Sequence, residues 1–88
     1  MKANHKSILR KLHIAQGQLK GIDQMIQEDR YCIDIIDQLS ASIALLKSCA
    51  EEVLKAHIEH CVSDTIKDAA AQEKVQEAIR AISRLGDL

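Results

Sequence analysis

The chain has 88 residues, a length that fits one domain, here taken as residues 1–88. It contains no Pro, three Gly and one aromatic residue, and 47% of its residues are hydrophobic, so we expect an all-α protein with an aliphatic core. The formal net charge of -1 excludes a uniformly basic chain, and the absence of a long apolar run excludes a span through a bilayer.

The first predicted helix covers residues 5–27. Apolar residues recur along it at helical spacing and are expected to form its buried stripe: Ile8, Leu12, Ala15, Leu19, Ile22 and Ile26. Gly17 and Gly21 interrupt this helix, and each costs about 1 kcal/mol relative to Ala. Their presence favours the close approach of another helix or of a phosphate backbone.

Positive charge is concentrated in this first helix. Residues 1–21 hold five basic residues and no acidic one, whereas the other 67 residues hold seven basic and 13 acidic residues. A run of basic side chains is most often a solvated face, and a nucleic-acid contact is the more specific alternative.

The second predicted helix covers residues 30–66, with Asp29 as its N-cap. The stretch from 29 to 65 contains no Gly or Pro. Apolar residues alternate along it at spacings of three and four, which predicts a helix packed lengthwise on other helices: Ile36, Leu39, Ile43, Leu46, Ala50 and Val53. The short connection between helices one and two predicts an antiparallel hairpin.

Three potential metal ligands extend this apolar stripe, namely Cys32 before it and His57 and Cys61 after it. Cys32 and Cys61 are 29 residues apart (32 to 61), about 43 Å in a straight helix, so they cannot share an ion within one chain. In an antiparallel pair with a two-fold axis near Leu46, Cys32 of one copy reaches His57 and Cys61 of the other, giving two sites.

Two thiolates and one imidazole suit three-coordinate Cu(I), whereas Zn(II) would need a fourth ligand or water. His60 is a possible fourth ligand, but a solvated or phosphate-facing role fits its position about 100° around the helix from Cys61 better. We interpret Cys49, near the middle of the helix, as a packing residue. An odd number of cysteines, three in all, argues against a disulfide framework. With no signal-peptide pattern present, we expect a cytoplasmic protein.

The third predicted helix covers residues 70–85. Val75, Ile79, Ile82 and Leu85 fall on one side, and Gly86 supplies the stop signal. Two hairpins paired through helix two would form a four-helix bundle from two three-helix protomers.

The chain resembles the CsoR-like (copper-sensitive operon repressor) metalloregulators over nearly its whole length. The resemblance is carried by the Gly-Gln and Gly-Ile pairs at 17 and 21, by residues 28–34 and by residues 57–62. The Cys-His-Cys set with these separations matches the copper-sensing branch. Ile14 and Ile43 depart from the family pattern, which often has a basic residue at these two positions.

The resemblance implies an antiparallel dimer that doubles to a homotetramer and represses by binding operator DNA. It also implies that Tyr31 and Glu77 hydrogen-bond around His57 and fix its orientation. We place the DNA-binding surface on the basic residues of helix one: Lys6, Arg10, Lys11 and Lys20.

We therefore expect a repressor that binds DNA in its apo form and is released by Cu(I). One alternative is a persulfide or thiol sensor of the same fold that uses Cys32 and Cys61. Another is a copper-buffering helical module with no DNA target. An enzyme is disfavoured, because the sequence shows no Ser-His-Asp set and no phosphate-binding loop.

Overall fold

A computed structural model describes the backbone of residues 1–65 and 69–86 and the side chains of residues 1–60 and 73–86. Three α-helices follow one another: α1, His5–Gln27; α2, Cys32–Thr65; and α3, Ala69–Gly86. The all-helical, three-helix prediction is confirmed. The sequence placed the second helix at 30–66 and the third at 70–85, and residue 66 lies outside the described residues. Over the described part of the chain, no helix is long and apolar enough to cross a membrane.

The turn between α1 and α2 belongs to the end of α1. The Arg30 N–H donates to the Met25 carbonyl at 2.9 Å, and the Asp29 N–H donates to the Ile26 carbonyl at 3.1 Å. This is the Schellman pattern, and Asp29 takes its left-handed position with a φ of 51°. The predicted N-cap role of Asp29 is therefore wrong. Tyr31 is the residue that opens α2, because its carbonyl accepts the first helical bond from the Ile35 N–H at 3.2 Å.

The chain divides into two compact units, and residues His5–Cys49 form one of them. Its core contains every seventh residue of α1, namely Ile8, Ala15 and Ile22, together with Ser42 and Cys49 of α2. Cys49 is buried, in keeping with a packing role.

Two polar contacts join α1 to α2 within this unit. The Ser42 hydroxyl donates to Gln18 Oε1 at 2.8 Å, so the buried hydroxyl is satisfied. Lys11 Nζ donates to Ser48 Oγ at 3.0 Å. The buried stripe of α1 is narrower than predicted. Leu19 and Ile26 were expected to be buried, but each remains about half exposed.

The apolar stripe of α2 lies on the surface of this unit. Its first four members have exposed fractions between 40% and 52%: Ile36, Leu39, Ile43 and Leu46. Large aliphatic side chains repeated at this spacing form a continuous apolar face along the helix.

The second unit comprises Met1–Asn4 and Ala50–Leu88, and so includes the second half of α2 and the described part of α3. Val53 and Leu54 are half-buried here, and Ala78 of α3 is buried. The face of α3 that packs is rotated relative to the prediction. Ala78 is flanked in this contact by the half-buried Val75 and Leu85, whereas Ile79 and Ile82, which the sequence placed on the same side as these two, are about half exposed.

Candidate metal centre and nucleic-acid interface

Cys32 is the first residue of α2, and its thiol is exposed. The Schellman turn that ends α1 fixes the chain just before it, so the thiol stands at a defined helix start rather than in a long loop. Tyr31 precedes it and is 66% exposed. A soft, accessible donor at this position is suited to binding a metal or to thiol chemistry.

His57 lies in the second half of α2, where it is half-buried and lines a groove of about 860 Å³. Cys61 belongs to the same helix, and its backbone lies one turn further on. The side chain of Cys61 lies outside the described residues. Glu77 belongs to α3 and is exposed.

His60 lines the same groove as His57 and is likewise half-buried. A solvated position was expected for it, and the structure places it partly under cover instead. The spacing of three residues between the two histidines was the available signal, since residues three apart in a helix are neighbours. Sequence reasoning also missed the basic side chains of α3 that line this groove, Lys74 and Arg84.

Within the described part of a single chain, no three His, Cys, Asp or Glu side chains converge in a way that could hold an ion. Cys32 and His57 both belong to α2 and are 25 positions apart in it (32 to 57). The donors themselves, a thiol and an imidazole with a second thiol one turn further on, fit a soft or borderline ion.

Two shallow depressions run along the exposed side of α1. The first is lined by Lys6, Leu9, Arg10, His13 and Ile14. The second is lined by His13, Gln16, Gly17, Leu19, Lys20 and Asp23. His13 lines both depressions, so three of the four predicted DNA-binding residues lie along one surface of the helix. We call this surface the basic face of α1: Lys6, Arg10, His13, Gly17 and Lys20.

Lys11, the fourth predicted DNA-binding residue, lies elsewhere on α1. Its side chain is half-buried and its ammonium group donates to Ser48 Oγ of α2. Lys11 lines neither depression. Lys11 therefore makes a hydrogen bond to α2 that the sequence pattern did not predict.

The family model described as "Metal-sensitive transcriptional repressor" matches residues 4–84. The copper-sensing transcriptional repressor RicR of Mycobacterium tuberculosis (strain ATCC 25618 / H37Rv) is 41% identical over 78 residues, covering 86% of this chain and 81% of that protein. The copper-sensing transcriptional repressor CsoR of Bacillus subtilis (strain 168) is 39% identical over 82 residues, with the same coverage of each protein.

A solved structure of the nickel-responsive transcriptional regulator InrS has the same fold. Its TM-score is 0.80, and the match covers 97% of this chain and 96% of that chain at 21% sequence identity. The relatives at higher identity are transcriptional repressors and not enzymes. Since the family model spans nearly all of the described helices, this chain belongs to the metal-sensitive transcriptional repressors of the CsoR family.

Proposed function

We propose that the protein is a cytoplasmic, Cu(I)-responsive repressor that binds operator DNA without metal and releases it when Cu(I) binds between two copies. The observation that carries this proposal is the exposed apolar stripe of α2, from Ile36 to Leu46. The stripe separates an exposed thiol at one end of the helix, Cys32, from His57 and Cys61 at the other. The ligand set is therefore completed only when two helices pair through the stripe.

Antiparallel pairing joins opposite ends of α2. The midpoint between Cys32 and Cys61 falls near Leu46, so a two-fold axis there brings Cys32 of one copy to His57 and Cys61 of the other. Burying these aliphatic side chains supplies the driving force for association. Two such dimers would associate into a homotetramer, as the CsoR-like resemblance implies.

Cys32, His57 and Cys61 would hold Cu(I), which, when bound, supplies a link between the ends of two α2 helices. Both cysteines would bind the ion as thiolates, since the thiolate is the metal-binding form. Tyr31 and Glu77 would hydrogen-bond around His57, which sets the nitrogen that it presents. Because Glu77 lies on α3, these hydrogen bonds would connect α3 to the site.

The basic face of α1 would hold DNA chiefly through phosphates. Lys6, Arg10 and Lys20 supply the fixed positive charge of this surface. Cu(I) regulates DNA binding only by its differential affinity for the two conformations of the protein. A coupling free energy of about 1–3 kcal/mol changes operator affinity 5- to 150-fold.

The experiment that tests this proposal is a titration of operator DNA with the protein in the apo form and with Cu(I), Zn(II), Ni(II) or persulfide. We expect Cu(I) alone to weaken binding strongly. Cys32→Ala and Cys61→Ala should both abolish the response, while Cys49→Ala is the matched control and should keep it, because Cys49 lies inside the core. Release by persulfide that persists in His57→Ala would instead support the thiol-sensing alternative. Copper binding without any DNA affinity would support the buffering alternative.

A further inference from the structure

The groove between α2 and α3 in the unit formed by Met1–Asn4 and Ala50–Leu88 has an apolar floor. Ala50, Val53 and Leu54 line it from α2, and Ala81 and Leu85 line it from α3. Its volume of about 860 Å³ is large enough for several side chains of a partner. A large exposed apolar surface on a small protein is typical of a binding site, so we expect this groove to bind an apolar segment.

The rim of this groove is basic. Among the described residues that line it, every charged side chain is positive: Lys2, Lys74 and Arg84. Lys74 and Arg84 belong to α3 and are exposed, and the apolar Ala81 lies between them in the helix. The groove therefore selects a segment that is apolar along its centre and acidic along its edge.

The start of α2 has this character. Ile33 and Ile36, three residues apart on one face of the helix, are exposed apolar side chains, with exposed fractions of 47% and 52%. Asp37 follows Ile33 by four residues and lies beside it, on the side away from Ile36, and Asp34 neighbours Asp37 at a spacing of three. Both carboxylates are exposed. The first turns of α2 thus have an apolar face with acids along its edge.

We propose that the groove receives the first turns of α2 of a second copy, and that Asp34 and Asp37 facing Lys74 and Arg84 decide which chains pair. The inference rests on the antiparallel pairing of the proposed function, and it adds the contact that fixes register and partner choice. The apolar stripe alone is a poor guide to register, because an aliphatic face accepts many aliphatic partners. Opposite charges at the edge favour one register, and like charges penalise others.

The arrangement predicts a pairing code that can be inverted. Asp34→Lys with Asp37→Lys makes the helix start basic, so that it is repelled by its own basic groove. Lys74→Glu with Arg84→Glu makes the groove acidic, so that it repels its own acidic helix start. In a mixed dimer, however, each of the two contacts joins a basic partner to an acidic one.

The test measures self-association of the metal-free, DNA-free proteins by sedimentation equilibrium. We expect each double variant to self-associate about 100-fold more weakly than the parent, and an equimolar mixture to form a one-to-one heterodimer of near-parental affinity. Circular dichroism of each variant establishes that it is helical. Parental self-association of both variants, or a mixture of helical variants that fails to pair, would overturn the inference.

A milder pair of variants covers the case in which a double variant fails to fold. Asp37→Lys and Lys74→Glu each reverse the charge of one side chain. Both positions lie beyond the first turn of their helices, where effects on the helix dipole are small. Each should weaken self-association about tenfold, and mixing them should restore it. No restoration on mixing counts against the inference. Since neither copper nor DNA is present, pairing as predicted by a protein that ignores Cu(I) would contradict the proposed function and leave this inference standing.

Discussion

The two halves of α2 carry the same apolar repeat but differ in burial. In the unit His5–Cys49, Ile36 and Ile43 are each 52% exposed. In the other unit, Ala50 and Val53 continue the repeat and are half-buried in the groove that α2 forms with α3. The apolar repeat of α2 is regular in sequence, but other parts of the same chain bury its second half more than its first. The more exposed part is the surface through which we propose that two copies pair.

The free energy available from burying this exposed stripe is of a size that suits reversible assembly. Full burial of an Ile or Leu side chain is worth about 1.5–3 kcal/mol. Since the four exposed members are already about half covered, each would gain about 1 kcal/mol on pairing. The sum over two copies is comparable to the lower part of the 4–15 kcal/mol cost of association. The stripe therefore needs the additional contacts that the groove and the metal site would supply.

The largest expected effect comes from Leu46→Asp, which places a charge where the exposed part of the apolar repeat meets the half-buried part. A carboxylate at this position would be buried without a partner when two copies pair, and such burial costs several kcal/mol. Leu46 is 43% exposed in the single chain, so the helices should still form. We expect a helical protein of smaller mass in analytical ultracentrifugation.

Ala41→Asp is the matched control, because Ala41 is exposed and lies on the opposite side of α2 from the stripe. It adds the same charge and should leave the assembly intact. An unchanged, fully folded oligomer in Leu46→Asp would show that the stripe is not the pairing surface.

The next effect concerns DNA and belongs to the first unit, which carries the basic face of α1. Changing Lys6, Arg10 and Lys20 together to Ala should weaken operator binding by about 100-fold and lower the slope of affinity against salt by about 2–3, because fewer counterions are released. Lys55→Ala, an exposed lysine of the second half of α2, is the control. Operator titrations at several salt concentrations measure both quantities. An unchanged slope would place DNA on another surface.

Some features of the molecule could be predicted from its sequence and others could not. The three helices were predictable because few residues that break helices interrupt the chain. The role of Asp29 was not, since an Asp at a helix junction suits an N-cap as readily as the left-handed position that it occupies here. The burial of Leu19 and the contact of Lys11 with Ser48 depend on how α1 is rotated against α2, and periodicity does not fix this rotation.

The candidate site also has features that the sequence predicts and features that it does not. Spacing alone predicted that Cys32 and His57 belong to different ends of one helix, and the uninterrupted helix α2 agrees with that separation. The groove beside His57 could not be predicted, because it requires α2 and α3 to be brought together at a particular angle. His60 acquires its partial cover from that same packing.

A smaller effect tests whether the second unit transmits metal binding to the DNA-binding surface. Glu77→Ala and Tyr31→Phe keep all three ligands, so Cu(I) should still bind as a two-sulfur, one-nitrogen site. The release of DNA should weaken, with some or all of a 5- to 150-fold coupling lost, because the hydrogen bonds around His57 are weakened or removed. His57→Ala should lose more of the coupling while two thiolates still hold copper.

Two measurements separate binding from regulation for these variants: copper affinity by competition with a chelator, and operator affinity with and without Cu(I). Parental copper affinity with reduced DNA release is the expected result. Full DNA release in all three variants would mean that the ends of α2 act without α3.

The smallest expected effect is at Gly17, and its sign differs between stability and DNA binding. Nothing in the described chain lies within 4 Å of a Cβ added at Gly17, so Gly17→Ala should stabilise α1 by about 1 kcal/mol and raise Tm by about 4–8 °C. If a phosphate backbone approaches the basic face here, the added methyl group stands in its way. Operator affinity should then fall by about 3- to 10-fold, a cost of about 1 kcal/mol.

Gly21→Ala separates these two effects. Gly21 is equally open to an added Cβ but lines neither depression of α1. It should gain the same thermal stability and keep its operator affinity. Thermal unfolding and operator titration of both variants, with particle mass checked in each, complete the comparison. Equal DNA affinities for the two stabilised variants would mean that Gly17 admits no phosphate. A loss confined to Gly17→Ala would mean that α1 gives up helix stability at this position in exchange for closer contact with DNA.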